Sequence, residues 1–172
     1  MRQQSPTPIV LDASVLLNFV KIGRVELLGQ LGTSVVLLDQ VLDEVIRPEQ
    51  REAVEGAVKA GILDLQSVRD PVEVALFANL RADGRLGGGE CAVLAVALNR
   101  NWVAGLQDRR ARVEGQRRRE DLALWQTEDL VLKLIRSGHL TLEEADGFLV
   151  EWATKHRFRS RLTSFQEMYP HR

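Results

Sequence analysis

Four acidic residues from separate parts of the chain have the side chains needed for a metal-dependent reaction. Asp12 ends the apolar run at residues 9–11, Glu44 lies in "VLDEVI", Glu90 follows three glycines in "GGGECAVLAVAL", and Asp108 lies in "QDRRAR". Carboxylates gathered in one cleft repel each other unless cations neutralise them, and coordination by oxygen alone suits Mg²⁺ or Mn²⁺. Such an ion lowers the pKa of a bound water and stabilises negative charge on a phosphate, so the set predicts phosphodiester hydrolysis.

Each of these acids also has an ordinary structural interpretation. Asp12 and Asp108 each precede a helical segment, so either could cap a helix. Glu90 could complement a helix dipole, and Glu44 could be solvated on an exposed helix face. Taken one at a time, these interpretations do not explain why four different segments of the chain each place an acid near the same edge of the predicted sheet.

The elements that must position these acids alternate between strand and helix. Five short apolar runs are strand candidates, and helical spacing separates them; they occupy residues 9–11, 34–39, 62–68, 101–107 and 121–125, the last at the sheet edge. This alternation predicts an α/β fold with three layers, α/β/α, and a mainly parallel sheet of four to five strands. Ligands bind beyond the carboxyl ends of such strands, where Asp12 and Asp108 lie.

The remainder of the chain predicts further helices. "VELLGQLG" continues the helical pattern after the first helix, and "DPVEVALFANLRA" begins a helix with Asp70 as N-cap and Pro71 at the first position. Two amphipathic helices close the chain, with Thr127 and Thr141 predicted as their N-caps. The glycines before Glu90 predict a sharp turn and a close approach of the backbone there.

Composition predicts one cytoplasmic domain. The chain has 172 residues, of which 45% are hydrophobic, which suffices for one core. It has a single cysteine and no apolar run near the ~20 residues that span a bilayer, so we expect no membrane association. The net charge of −1 is uneven, because residues 100–119 carry +5 and residues 155–172 carry +4. Either the basic segments bind a polyanion, or their arginines are solvated helix faces.

Four quoted segments resemble, in order and spacing, the PIN-domain ribonucleases, in particular their VapC-like branch. They are "IVLDASVLLNFVKIGRVELL", "VVLLDQVLDEVI", "GGGECAVLAVALNRNWVAGLQDRRARVEG" and "KLIRSGHL". The resemblance implies a single PIN-like domain over residues 1–172, with a core at about 8–140 and a C-terminal helical extension at about 141–172. It also implies a homodimeric, Mg²⁺- or Mn²⁺-dependent endoribonuclease that cleaves RNA. Such a protein is a candidate toxin of a toxin and antitoxin pair, with a small antitoxin protein as its partner.

Carried over by position, the resemblance assigns the family's acidic site to Asp12, Glu44 and Glu90, with Ser14 as a supporting hydroxyl. The branch usually has two adjacent aspartates before a basic helix, whereas this chain has Gln107 and Asp108. If Asp108 is the ligand, the site keeps four carboxylates. If Gln107 takes the ligand position, three remain, and a catalytically weak or inactive nucleic-acid-binding module becomes the alternative.

The same resemblance assigns supporting roles around the acids. Thr127 takes the position of a hydroxyl that commonly follows the last strand, and Gln107 can offer an amide oxygen to a cation. Arg109, Arg110 and Arg112 follow Asp108 directly and are predicted to hold RNA phosphates.

Overall fold

The computed structural model describes residues 6–169, so the ends of the predicted domain, including Arg172 of the basic C-terminal segment, lie outside the described residues. Five parallel strands form one sheet in the order β3-β2-β1-β4-β5. The strands are β1 (Ile9–Leu11), β2 (Val35–Leu38), β3 (Asp64–Gln66), β4 (Val103–Gly105) and β5 (Leu124–Trp125). The all-parallel order and the edge position of β5 confirm the strand predictions.

Helices cover both faces of the sheet and give the three-layer α/β/α architecture that the sequence predicts. The α-helices are α1 (Ala13–Lys21), α2 (Asp39–Leu42), α3 (Pro48–Lys59), α4 (Pro71–Ala82), α5 (Gly88–Arg100), α6 (Arg109–Arg118), α7 (Thr127–Arg136) and α8 (Leu142–Lys155). Short 3₁₀ helices occupy Val25–Gln30 and Phe165–Met168. The predicted continuation of helical structure after α1 is therefore 3₁₀ rather than α, and Gly23 with a φ of 66° separates the two segments.

Two of the predicted caps are confirmed and one is wrong. Asp70 accepts a hydrogen bond from the Val72 amide at the start of α4, and Thr141 caps α8 through the Glu144 amide. At α7 the N-cap is Gln126, whose amide donates to Asp129 at 2.7 Å. Thr127 is instead the first helical residue, and its hydroxyl and backbone amide both donate to the side-chain oxygen of Gln107.

The core is centred on the inner strands and α5. Every residue of β1 and β2 is buried, as is the α5 segment from Cys91 to Leu98. The C-terminal extension belongs to the same hydrophobic cluster, since Trp152 and Phe165 are fully buried in it. The indole of Trp152 donates to the backbone carbonyl of Asn18 at 2.7 Å, which ties α8 to α1.

The strand order sets where a ligand can bind. The chain moves outward from β1 through β2 and β3, and then returns to the other side of β1 to form β4 and β5. In such sheets the crevice lies beyond the carboxyl ends of the two strands where the direction reverses. Here those strands are β1 and β4, which end just before Asp12 and Gln107. Within residues 6–169, no helix combines the length and the apolar character needed to cross a bilayer.

Candidate active site

Asp12 directly follows β1 at the carboxyl edge of the sheet and is almost fully buried, with 2% of its surface exposed. One carboxylate oxygen caps α1 by accepting the Val15 amide at 2.7 Å, and the other accepts the Gln107 amide at 3.2 Å. Burial, followed by the negative charges of Glu90 and Glu44, raises the pKa of Asp12 to about 6 despite these two hydrogen bonds. Asp12 therefore carries a charge that its surroundings only partly stabilise.

Glu44 and Glu90 meet at the N-terminus of α5. Glu44, just beyond α2, reaches across to accept the Gly89 amide at 2.7 Å. Glu90 lies in the first turn of α5 and accepts the Gly87 amide at 2.9 Å. Burial, and then the charges of Asp108 and Glu44, raises the pKa of Glu90. The two glutamates are thus electrostatic neighbours although 46 positions apart in number.

Asp108 completes the group from the start of α6. Its carboxylate caps this helix by accepting the Ala111 amide at 3.0 Å, and its charge is the first of the neighbouring charges that raise the pKa of Glu90. Glu90 is therefore within electrostatic range of Asp12, Glu44 and Asp108, and Asp12 is also within range of Glu44. None of them forms an ion pair with any of residues 6–169.

The capping interpretations of Asp12 and Asp108 and the helix-dipole interpretation of Glu90 hold at the same time, whereas Glu44 lies beyond α2 and not on a helix face. Each of the four carboxylates accepts a backbone N–H at a helix N-terminus, those of α1, α5 and α6. Free amides and the positive end of the helix dipole favour an anion at such a position. Helix starts therefore hold the carboxylates in place without cancelling their mutual repulsion, which leaves the group suited to a cation.

Gln107 points away from this group into a polar network. Its carbonyl oxygen accepts the Thr127 hydroxyl at 2.8 Å and the Thr127 amide at 3.1 Å, and its amide nitrogen donates to Glu128 at 3.5 Å. Asn18, buried in α1, donates to the Thr127 hydroxyl at 2.9 Å. Of the two neighbours, Asp108 is thus the residue whose charge acts on Glu90, whereas the Gln107 side chain links the end of β4 to α7.

Asn18 is a member of this network that sequence reasoning missed. The available signal was a polar residue among the apolar positions of α1, in "VLLNFV", where a buried amide requires a partner. Ser14, predicted as a supporting hydroxyl, is exposed two residues after Asp12 and hydrogen-bonds through its side chain to none of the described residues.

The three predicted phosphate-binding arginines separate into two groups. Arg109 and Arg110 line a groove of about 830 Å³ together with Asp108, Arg85 and Arg117; we call it the arginine groove. Arg112 is half-buried and donates to the Gln126 side chain at 3.1 Å, apart from that groove. Arg117 and Arg118 both pair with Glu114, so part of the basic stretch stabilises α6 itself.

The four carboxylates have the type of donor atom that a divalent cation prefers, but the present positions of their side chains suit such an ion less well. All donors are oxygens, and their uncompensated charges match the hard cations that such oxygens bind. However, no three Asp, Glu, His or Cys side chains within residues 6–169 are already close enough together to hold a metal ion. The donor set therefore suits the ion, and binding requires the carboxylate side chains to draw closer to one another.

A sequence model of one family, described as PIN domain, matches residues 8–169 of the chain. The chain belongs to the PIN-domain family. Its motifs, its parallel sheet and its acidic crevice agree with this membership, which confirms the resemblance at the level of the family. PIN domains are generally nucleases, which act on nucleic acids and use divalent metal ions. No curated protein shows significant similarity to the chain.

The glycines before Glu90 make a specific prediction for this PIN-domain site. A Cβ at Gly89 would lie 2.9 Å from the carboxylate atoms of Glu44, whereas a Cβ at Gly88 would lie 3.9 Å from its nearest oxygen. We expect Gly89→Ala to displace Glu44 and lower metal affinity about 10–100-fold. The melting temperature of the metal-free variant should change little, because the atoms that must shift are the flexible end of the Glu44 side chain.

Gly88→Ala is the matched control, because it changes the neighbouring helical position without crowding Glu44. Titration of each variant with Mn²⁺, followed by thermal unfolding, measures both quantities. Equal metal affinity in the two alanine variants would contradict a role for the Glu44 position.

The raised pKa of Asp12 predicts a pH-dependent stability of the metal-free protein. The folded state holds the Asp12 proton up to about pH 6, whereas the ordinary pKa is 3.8, so the folded state binds more protons between these values. The free energy of unfolding therefore falls as the pH rises through this window, by about 3 kcal/mol from Asp12 alone.

Asp12→Asn removes this titration and keeps a side-chain oxygen for the Val15 amide. In chelator, the stability of the variant relative to the original protein should increase from pH 4 to pH 7. Urea unfolding at several pH values measures it, and a difference that is constant with pH would refute the prediction.

Proposed function

We propose that this PIN domain is a metal-dependent endoribonuclease of the VapC-like type. The observation that supports the proposal is that Asp12, Glu44, Glu90 and Asp108 each lie at a helix N-terminus without a cationic partner among residues 6–169, with Asp108 also lining the arginine groove. This combination places a cation-binding group next to residues that attract a polyanion.

The residues would divide the reaction between them. The four carboxylates would hold Mg²⁺ or Mn²⁺, which when bound supplies a nucleophilic water at neutral pH and offsets charge on the phosphate. Arg109 and Arg110 would hold the phosphates of the RNA that runs along their groove. Asp12, whose carboxylate is held by hydrogen bonds from the Val15 and Gln107 backbone amides, would be the fixed ligand that positions the metal ion. No side chain is required as a covalent nucleophile.

The interactions that the resemblance implies are part of the same proposal. We place the protein in a homodimer and, as a toxin, in a complex with a small antitoxin protein. Size-exclusion chromatography with light scattering tests the dimer. A small reading frame beside the gene, co-expressed with it, tests the antitoxin, which should suppress RNA cleavage.

A second candidate function is a PIN-like module that binds nucleic acid with little or no catalysis. Two observations favour it: Gln107 replaces an expected aspartate, and no three potential ligands within residues 6–169 are already converged. Such a module would bind RNA equally well with or without a divalent ion.

One experiment separates these functions. The purified protein is incubated with a mixed RNA pool in Mn²⁺, in Mg²⁺ and in chelator, and unfolding is followed under the same conditions. For the nuclease we expect cleavage only with metal, and a rise in melting temperature of about 5–10 °C at about 100 times the metal Kd. RNA binding without cleavage or thermal shift would favour the binding module.

A further inference from the structure

A second groove is lined in part by Glu44, one of the four carboxylates. The arginine groove contains Asp108, whereas a separate groove of about 770 Å³ contains Glu44. A Cβ at Gly87 would lie 3.7 Å from a carboxylate oxygen of Glu90 and 3.8 Å from one of Glu44, so these two acids are neighbours at the start of α5. A chain-like ligand positioned at Glu44 and Glu90 can therefore reach into the second groove.

The second groove is rich in cations, and the C-terminal extension supplies half of them. Lys21 lies at the end of α1, Arg47 precedes α3, and Lys155 and Arg157 come from the end of α8 and the residue after its cap. We call this the C-terminal groove. Its carboxylates are Glu44 and Glu49, so cations outnumber acids. Lys21, Arg47 and Arg157 form no ion pair with any of residues 6–169 and remain available for a ligand.

The C-terminal groove also has an apolar lining. Leu17 and Val20 of α1 contribute to it, and Ile46 is 85% exposed, the largest exposure among the large hydrophobic residues of the described chain. Exposing such a side chain to water is unfavourable, at about 25 cal/mol per Å² of apolar surface. Cations beside exposed apolar surface match a nucleic acid strand whose bases are unpaired, since a duplex stacks its bases away from such contacts.

We infer that the C-terminal groove binds single-stranded RNA beyond the cleavage position. Lys21, Arg47 and Arg157 contact its phosphates and Ile46 contacts its unpaired bases. The identification of this ligand as RNA rests on the proposed function. The inference assigns to the extension after residue 140 a substrate-binding role and makes the protein selective for single strands over duplexes.

Binding measurements test the groove independently of cleavage. The probe is a fluorescent RNA of about 12 nucleotides, within the usual site sizes of single-strand-binding proteins, alone or annealed to its complement. Fluorescence anisotropy in chelator gives Kd over a range of salt concentrations. The variants are the triple change Lys21→Ala, Arg47→Ala, Arg157→Ala, and the single change Ile46→Ser. The matched control is Lys59→Ala, Arg69→Ala, Arg136→Ala, three exposed cations that line neither groove.

The two kinds of variant should differ in a way that a merely structural effect would not produce. The triple variant should bind at least about 10-fold more weakly, with a plot of log affinity against log salt shallower by about 2, because each lost phosphate contact removes about 0.7. Ile46→Ser should weaken single-strand binding several-fold and leave this slope unchanged. The control triple should match the original protein, and the duplex should bind more weakly than the single strand.

The outcomes also separate this inference from the proposed function. If the original protein binds RNA without cleaving it and the triple variant loses affinity, the groove stands and the nuclease proposal fails. If the original protein cleaves RNA with metal and the triple variant keeps its affinity and salt slope, the nuclease stands and the groove is refuted. Tighter binding of the duplex than of the single strand would also overturn the inference.

Discussion

Replacing Asp12 with Asn is expected to lower kcat/KM for RNA cleavage at least about 100-fold. This loss should exceed the loss of activity caused by removing a residue that only hydrogen-bonds to a metal ligand. The change removes the most buried charge of the acidic group but keeps an oxygen that can cap α1. The fold should therefore persist, and the metal-induced rise in melting temperature should disappear. Cleavage of a fluorogenic RNA and thermal unfolding with and without Mn²⁺ measure the two effects.

Asp70→Asn is the control for this change. Asp70 also caps a helix through a backbone amide, but it lies at the start of α4 and outside the acidic group. It should keep both activity and metal response. Full activity in the Asp12 variant would show that the carboxylates do not form the cleavage site.

Asp108→Asn is expected to reduce cleavage about 10–100-fold and to weaken the response to metal. Asp108 is the aspartate whose charge acts on Glu90, and asparagine can still cap α6 at the Ala111 amide. The same kinetic and thermal measurements apply.

Gln107→Ala discriminates between the two neighbouring positions. Its loss leaves the buried amide and hydroxyl of Thr127 without their acceptor, which should reduce stability by about 1–3 kcal/mol. The metal-induced shift in melting temperature should remain. If the Gln107 variant loses the metal response and the Asp108 variant keeps it, the ligand position is Gln107 and the site has three carboxylates.

The segment "QDRRAR" shows the limit of what residue spacing alone can predict about a metal ligand. Gln107 and Asp108 are adjacent in this segment, and the pattern of residue types is compatible with either of them as the metal ligand. Contacts distant in sequence settle where each side chain points. Thr127 and Glu128 engage Gln107, while the start of α6 holds Asp108 next to Glu90.

A similar limit applies to the basic residues. Arg109, Arg110 and Arg112 are equivalent as a run of charges, but the turn of α6 directs Arg112 toward Gln126 and leaves the other two in a groove. The C-terminal groove was not predictable as a unit, because α1, the loop before α3 and the end of α8 each supply only one or two of its cations.

The sequence by itself determined the order of strands and helices, the parallel sheet and the caps at Asp70 and Thr141, and it named the four acids as candidates. These follow from short-range physics, since apolar periodicity and capping chemistry act within one or two turns of the chain. The tertiary structure alone decided that Glu44 reaches the Gly89 amide, that Gln107 binds Thr127, and that the extension forms a second groove. Such contacts join distant segments, and their geometry depends on how the sheet and its helices pack together, which no local pattern encodes.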